Sequence, residues 1–434
     1  MNIPRDKIEW RLLLSRFLTR SGDQAWDFAV PISLLVVFPG QIQVAAMYYF
    51  FVRLGHVLLM PSVATLIDQH ARDLTARVGI FSQALAVVLQ FFAIWGLWKV
   101  SEGTFVISSL SLTLFVAMCL VGLLSDLGAA VMHIAVSGDV VPAAVPVERL
   151  SVFNSRIRQI DLFTEVTSPI AAGLLLLVAS PEFPLMGLLL VVFWNILSFF
   201  PEYLLLMSVF NENPQLRTKI KIPTQASQSL AKKILLGWRT FFQEPVAPVL
   251  FCYALLWLSV LSPHGVLLTG FLKGGWALPE LTIGVFRGLG ALFGISATFL
   301  FPWVLKKSSL KLTSEKFLWF QALTVSLGLL CFLQGTAWGQ YGFLLFVLLS
   351  RVGLYGFSLG EEQIRQVSIP EAVRGRVNGF GSALTGLATL FLYGAGAKLS
   401  STNDFPILIG ASVVFIVLSA LVFSVWSRKT ALSL

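Results

Sequence analysis

Charged residues are scarce in this chain of 434 residues. Lys, Arg, Asp and Glu together make up 12% of it, whereas a soluble globular protein carries about 25%. Hydrophobic residues make up 56%. These proportions exclude a soluble protein and predict an all-α integral membrane protein with almost no soluble domain.

Cysteines and the short motifs of soluble enzymes are also few or missing. The three cysteines form no CxxC pair, which excludes a disulfide framework and a zinc knuckle. No GxxxxGK[ST], HExxH or GxSxG string occurs, so we expect no enzyme and no ATP-driven pump of the usual P-loop kind. The first residues, MNIPRDKIEWR, lack an apolar core before a small-residue cleavage site, and we expect no removable signal peptide.

What the chain has instead is a series of apolar stretches, each near the roughly 20 residues that span a bilayer. Their pattern predicts an N-terminal half of six helices (1–210), a basic cytoplasmic linker (211–244) and a C-terminal half of six helices (245–434). The twelve stretches cover residues 8–37, 42–67, 78–100, 105–136, 157–178, 185–209, 248–271, 283–305, 317–333, 341–359, 377–399 and 407–425.

Basic residues concentrate in the loops on one predicted side of the membrane. They include the long linker, whereas the opposite loops carry chiefly Lys99 and Lys273. By the positive-inside rule both termini are cytoplasmic, in a multi-pass protein of the cell membrane. The net charge of +9 therefore indicates orientation and not nucleic-acid binding. We expect a monomer in the lipid bilayer.

The first stretch contains carboxylates where lipid-facing residues are expected. Thr19, Asp23 and Asp27 are spaced by four, which places them on one helix face. A charge at mid-membrane costs about 2.5–3.5 kcal/mol on insertion scales, so it usually has a partner or a function. Ser21 and Gly22, next to Asp23, are a place where the helix can loosen and present backbone carbonyls, and an oxygen-rich pocket inside a membrane protein suggests a cation.

Polar residues in three other stretches are further candidates. Asn195, Ser198 and Glu202 share one face of the sixth stretch, and Gln83 lies in the third. Interhelical hydrogen bonding explains Asn195 or Gln83 taken alone, whereas a shared cation site explains them equally well beside Asp23. His264, between Pro263 and Gly265 in the seventh stretch, lies near a carbonyl that the proline frees, and it is a candidate metal ligand. The other three histidines have no such surroundings and are interpreted as structural or solvated.

Charged and polar residues at the predicted cytoplasmic ends come from both halves. Asp68 and Arg72, in the string LIDQHAR after the second stretch, resemble the loop motif of the major facilitator superfamily. A solvated turn with an ion pair is the alternative, and the twelve-stretch layout favours a role in gating. We expect a cytoplasmic gate built from Asp68, Arg72, Asn154, Arg156, Arg158, Asp161, Glu371, Arg374 and Arg376.

Five long strings follow one another along the chain. They are SGDQAWDFAV, LIDQHAR, LSVFNSRIRQIDLFTEVTSPIAAG, WNILSFFPEYLLL, and LSRVGLYGFSL followed by IPEAVRGRVNGF. In this order, and over nearly the whole chain, they resemble the ferroportin family of cellular iron exporters, and the compact length resembles its bacterial members. The resemblance implies a major facilitator fold that exports divalent iron by alternating access, with proton exchange.

The resemblance also implies roles for single residues. Asp23 corresponds to the family's first-span metal aspartate, and Asn195 and Ser198 correspond to polar positions facing the same cavity. Asp23, Gln83, Asn195 and Glu202 correspond to a calcium site of the mammalian relatives. We expect no prosthetic group, a transported Fe²⁺, Co²⁺, Mn²⁺, Ni²⁺ or Zn²⁺ ion and a bound Ca²⁺.

This chain departs from its mammalian relatives in the implied metal ligands. His264 stands where they have a cysteine ligand, and Asp27 where they have histidine. In the eleventh stretch Leu392 replaces a ligand histidine, which puts a metal site of the second half in doubt or leaves it to His264 and backbone carbonyls.

Two other functions fit the composition less well. A proton-coupled exporter of drugs or organic solutes would use Asp23 and Glu202 as proton carriers, and an aromatic content of 13% suits an apolar cavity. A membrane receptor or assembly factor is disfavoured by the lack of a soluble recognition domain.

Overall fold

The computed structural model describes residues 5–39, 41–101, 108–178, 182–218, 238–239, 241–263, 265–399 and 404–430. The predicted all-α class is confirmed, and the longer α-helices of the described residues are numbered α1 to α12, with the seventh in two parts. They are α1 (Arg5–Val37), α2 (Ile42–Gln69), α3 (Arg72–Ser101), α4 (Ser109–Met132), α5 (Val147–Leu176), α6 (Met186–Glu212), α7a (Ala247–Leu256), α7b (Val266–Gly274), α8 (Glu280–Leu305), α9 (Leu310–Leu333), α10 (Ala337–Ser368), α11 (Arg374–Lys398) and α12 (Phe405–Lys429).

Nine of the described helices are long and apolar enough to cross a membrane. α1 and α5 are as long, at 33 and 30 residues, but each carries several charged side chains within its apolar sequence. In a membrane protein such charged helices are usually the ones that face the protein interior or a water-filled cavity.

The seventh stretch does not form the continuous span that its apolar pattern predicts. α7a ends at Leu256 and α7b begins at Val266, with described residues of non-helical backbone between them. Pro263 lacks an N–H and cannot continue a helical hydrogen-bond ladder, which accounts for an interruption here. Non-helical backbone at membrane depth occurs where it is covered by protein or lines a cavity.

The chain divides into two compact units. One comprises residues 1–146, 163–237 and 370–383, and the other comprises 147–162, 238–369 and 384–434. The first turns of α11 therefore belong with the helices of the first half, and the first half of α5 with those of the second. The predicted division at 210 and 245 remains a prediction.

Each unit has its own apolar core. In the first, Met60 and Ala64 of α2 pack against Val131 near the end of α4 and Ile134 just after it. In the second, Leu162 of α5 packs against Ala297 of α8 and Tyr355 of α10.

Candidate functional site

The candidate metal site lies where α1 packs against α6. Gly22 makes the close approach possible, because a Cβ atom at this position would lie 2.8 Å from the Asn195 side-chain oxygen. The helix does not loosen at Ser21 and Gly22, where the sequence permits it, since α1 is helical through both residues. Gly22 thus brings the two helices together instead of unwinding one of them.

Thr19 of α1 is bonded directly to Glu202 of α6. The threonine hydroxyl donates to one carboxylate oxygen of Glu202 at 2.5 Å, and both side chains are buried. The other carboxylate oxygen of Glu202 is buried without a hydrogen-bond partner among the described residues. Pro201, just before Glu202, cannot donate to the carbonyl of Leu197, so the helix lacks one hydrogen bond beside this carboxylate.

Two buried amide side chains also have unused oxygens. Asn195 donates its amide N–H to the Val191 carbonyl at 3.0 Å, and its side-chain oxygen has no partner among the described residues. Both polar atoms of Gln83 on α3 are buried without partners within the same described part of the chain. α3 packs against both α1 and α6. Buried polar atoms are nearly always paired, so three unused oxygens in this region indicate a ligand.

Asp23 supplies a second carboxylate. It lies close enough to Glu202 for the two carboxyl groups to repel each other electrostatically. Arg20, one turn earlier on α1, has its guanidinium 3.6 Å from an Asp23 oxygen. A bound cation would relieve the repulsion between the two carboxylates more completely than one partly exposed arginine does.

The other predicted ligands have different positions. Ser198 is buried on α6 and donates its hydroxyl hydrogen to the Trp194 carbonyl at 3.0 Å, which leaves its oxygen lone pairs available. Asp27 is exposed, one turn beyond Asp23. His264 lies outside the described residues. No group of three His, Cys, Asp or Glu side chains with metal-binding geometry occurs in the described part of the chain, so the donors here are mostly amide and hydroxyl oxygens.

A second polar cluster joins the end of α2 to the start of α11. The Asp68 carboxylate accepts hydrogen bonds at 2.7 Å from the backbone N–H groups of Gly375 and Arg376. Asp68 thereby caps the first turn of α11, whose N–H groups have no helical partners. The alternative of a solvated turn at Asp68 and Arg72 does not hold, since both side chains are buried.

Arg72 and Asp139 are the centre of this cluster. Arg72 lies 3.0 Å from the carboxylate of Asp139 and 2.9 Å from that of Glu371. Arg374 lies 3.5 Å from Asp139. Asp139 falls in a π-helical segment, His133–Val140, that continues α4. Such segments re-aim side chains and are frequent at functional sites.

The remaining predicted gate residues belong to the other unit. Asn154 on α5 and Gln366 on α10 exchange side-chain hydrogen bonds, the shorter of 2.7 Å. Arg158 lies 4.0 Å from Asp161 and stacks over the Tyr355 ring. Arg156 is exposed.

Sequence patterns did not single out Asp139 or Gln366. Asp139 lies in the string SGDVV with no charged neighbour in sequence, and Gln366 stands among several polar residues at the end of α10. Both were detectable only as polar residues inside or beside apolar stretches, a signal that many other positions share.

The chain matches the family model described as Ferroportin1 over residues 6–416. Among curated proteins it is 44% identical to Ferreportin of Bdellovibrio bacteriovorus over 98% of this chain and 95% of that one. It is 26% identical to Solute carrier family 40 member 1 of Oryza sativa subsp. japonica, over 95% of this chain and 90% of that one.

Solved structures resemble this one over almost its full length. A bacterial homologue of the iron transporter ferroportin in an outward-facing state is 44% identical to this chain. The two structures match with a TM-score of 0.90 over 97% of this chain and 100% of that one. The inward-facing state of a bacterial homologue, 43% identical, gives 0.67 over 97% of this chain and 99% of that one. The Escherichia coli fucose:proton symporter, at 12% identity, gives 0.63 over 96% and 97% of the two chains. A fucose transporter of the major facilitator superfamily gives 0.61, and these likenesses support the predicted major facilitator fold.

Proposed function

Since this chain belongs to the ferroportin family, whose named relatives are transporters and not enzymes, we propose that it exports divalent iron from the cell by alternating access, in exchange for protons. It is a multi-pass membrane protein, and we place it in the cell membrane as a monomer with both termini in the cytoplasm. The relatives' names and solved states support transport of a metal.

One observation is the main support for a metal cation as the substrate. The buried oxygens of Gln83, Asn195 and Glu202 that lack hydrogen-bond partners lie on helices that pack together with the Asp23 helix. Leaving a buried polar group unpaired costs about 1–3 kcal/mol, and a cation would satisfy several of these groups at once. A membrane carrier of apolar solutes would gain nothing from such a donor set.

The types of ligand atoms suggest which ions bind at this site. Carboxylate and amide oxygens bind hard divalent ions, and an imidazole from His264 would favour Fe²⁺, Co²⁺, Mn²⁺, Ni²⁺ or Zn²⁺. Asp23, Thr19, Asn195 and Ser198, with Asp27 in the next turn, are the proposed ligands of the transported ion. Without the imidazole, Asp23, Gln83, Asn195 and Glu202 form an all-oxygen set of the kind that holds Ca²⁺.

We assign the gate to the two polar clusters at the helix ends. Each one joins residues of the two sequence halves: Arg72 and Asp139 to Glu371 and Arg374 in one unit, and Asn154 to Gln366 in the other. A carrier that exposes its site to alternate sides needs contacts that form in one state and break in the other.

Metal uptake into proteoliposomes tests the proposal. The purified protein should quench a metal-sensitive dye trapped inside the vesicles when Fe²⁺ or Co²⁺ is added, and Asp23→Asn should abolish the signal. Uptake should change with an imposed pH gradient. Efflux of a lipophilic cation without any metal signal would overturn the proposal in favour of an organic solute carrier.

A further inference from the structure

A histidine that the metal site does not use lies at the junction of three helices in the first unit. His56 on α2 is 4% exposed. Its Nδ1 atom is bonded to the carboxylate of Asp126 on α4, and its Nε2 atom lies 3.0 Å from the hydroxyl of Ser382 on α11. Resting on the proton exchange proposed above, we propose that His56 is the site that binds the exchanged proton.

The bonding around His56 suits both of its protonation states. With Nδ1–H donated to Asp126, a neutral ring accepts the Ser382 hydroxyl hydrogen at Nε2. After Nε2 takes up a proton, it donates to the same serine oxygen, because a hydroxyl can rotate between donating and accepting. The site can therefore gain and lose a proton without leaving a buried polar atom unpaired.

A series of charged side chains, alternately negative and positive, connects His56 to the metal site. Arg53 on α2 lies 3.1 Å from Asp126. Asp27 on α1 interacts electrostatically with both Arg53 and Asp126, and also with Arg20. Arg20 in turn pairs with Asp23. The buried phenol of Tyr48 also interacts electrostatically with Asp126.

This series of charges determines whether metal binding favours or opposes protonation of His56. A divalent ion at Asp23 competes with Arg20 for that carboxylate, which leaves Arg20 to interact more strongly with Asp27. Asp27 then neutralises Arg53 less, and the positive potential at His56 rises. Metal binding thus favours release of the His56 proton, and protonation of His56 opposes metal binding, as reciprocity between two linked sites requires.

The contact with Ser382 places the proton beside α11, the helix whose start belongs to the proposed gate. Ser382 follows the segment of α11 that Asp68 caps, and residues 370–383 belong to the same compact unit as His56. Reversing the direction of the His56–Ser382 hydrogen bond changes how α11 is held in that unit.

The decisive variant is His56→Gln, which can keep hydrogen bonds to both neighbours but cannot be protonated. In proteoliposomes with an internal pH dye, Co²⁺ addition should still quench the metal dye, while proton movement falls to the level of protein-free vesicles. Co²⁺ affinity at pH 7.5 should be unchanged by calorimetry, which also shows that the variant is folded. His133→Gln, at an exposed position of the π-helical segment that continues α4, is the matched control and should move protons as the unaltered protein does.

A second variant keeps the test decisive if His56→Gln does not fold. Asp126→Asn retains a hydrogen-bond acceptor but removes the negative charge that contacts Nδ1 of His56. The midpoint of the transport pH profile, measured between about pH 5.5 and 7.5 around the imidazole reference value, should fall by about one unit, a tenfold loss of proton affinity. Wild-type proton movement in His56→Gln, or an unshifted midpoint in Asp126→Asn, overturns the assignment. Absence of metal-driven proton movement in the unaltered protein would instead overturn the proton exchange itself.

Discussion

At the scale of single residues, the metal site combines two carboxylates with amide and hydroxyl oxygens. Glu202 is fully buried and shares its one used oxygen with Thr19, while Asp23 is only partly buried and faces Arg20. A buried carboxylate without full compensation destabilises the protein when no cation is present. The same carboxylate that destabilises the metal-free protein therefore increases the affinity of the site for a divalent cation.

Glu202→Gln separates these two effects. The amide oxygen still accepts the Thr19 hydrogen bond, but the charge is gone, so divalent-metal affinity should fall at least about tenfold, or 1.4 kcal/mol. Without metal the melting temperature should stay equal or rise, because an uncompensated charge has been removed. Glu212→Gln, in an exposed ion pair with Arg11, is the control and should change neither. An unchanged metal affinity in Glu202→Gln would exclude Glu202 as a ligand.

His264 can be tested as a ligand separately from the proton site. Ligands must be deprotonated to bind a metal, so binding to the unaltered protein should weaken as the pH falls toward about 5. His264→Gln should lower Co²⁺ affinity already at pH 7.5, where His56→Gln should not. Equal affinities for His264→Gln and the unaltered protein, measured by calorimetry, would remove His264 from the ligand set.

At the scale of elements, a glycine controls how closely α1 and α6 approach. The space at Gly22 is occupied by the Asn195 side chain, as the 2.8 Å approach to a hypothetical Cβ shows. The interface is thus of the small-residue kind that lets membrane helices pack closely. The metal ligands on the two helices depend on this spacing.

Gly22→Ala should therefore weaken metal binding without unwinding α1. Alanine favours the helix, but its methyl group must displace Asn195, a proposed ligand. Gly410→Ala in α12 is the matched control, because nothing lies within 4 Å of a Cβ there, and it should leave metal affinity unchanged. Calorimetric titration of both variants with metal tests this prediction. Equal metal affinities would show that the Asn195 side chain can move aside without loss of binding.

At the scale of the whole molecule, gating is predicted to depend on Asp139. Its buried carboxylate lies beside Arg72 of the first half and Arg374 of the second. Because little of either Asp139 or Arg72 is exposed, breaking their contact costs more than an exposed pair would. A loss of about 1.4 kcal/mol is enough to shift a two-state population tenfold.

Asp139→Asn should populate the inward-facing state and slow export, with metal binding retained. Spin labels at the exposed Leu74 and Leu312, in a background without native cysteines, would report the distance between the two halves at their cytoplasmic ends. That distance should lengthen in Asp139→Asn and stay the same in Asp73→Asn, whose carboxylate pairs only locally with Arg77 at 3.6 Å among the contacts described here. Identical distances in both variants would assign Asp139 a purely structural role.

The sequence by itself determined the features that depend on composition and on short spacings. Low charge and twelve apolar stretches predicted the helical membrane fold, and polar residues at helical spacing singled out Asp23, Asn195 and Glu202. The site assignments themselves remain predictions. Local patterns suffice here because a charge or amide inside an apolar run is costly wherever the helix packs.

Only the tertiary structure decided which distant residues meet. His56 and Asp126 are 70 positions apart, and Asp68 caps a helix that begins more than 300 residues later. No periodicity within one helix records such a contact, since each depends on how several helices pack. The same reason applies to Gly22: the sequence marked it as a point where the helix can loosen, whereas the structure shows a continuous helix with Asn195 of α6 in the space that the missing side chain leaves.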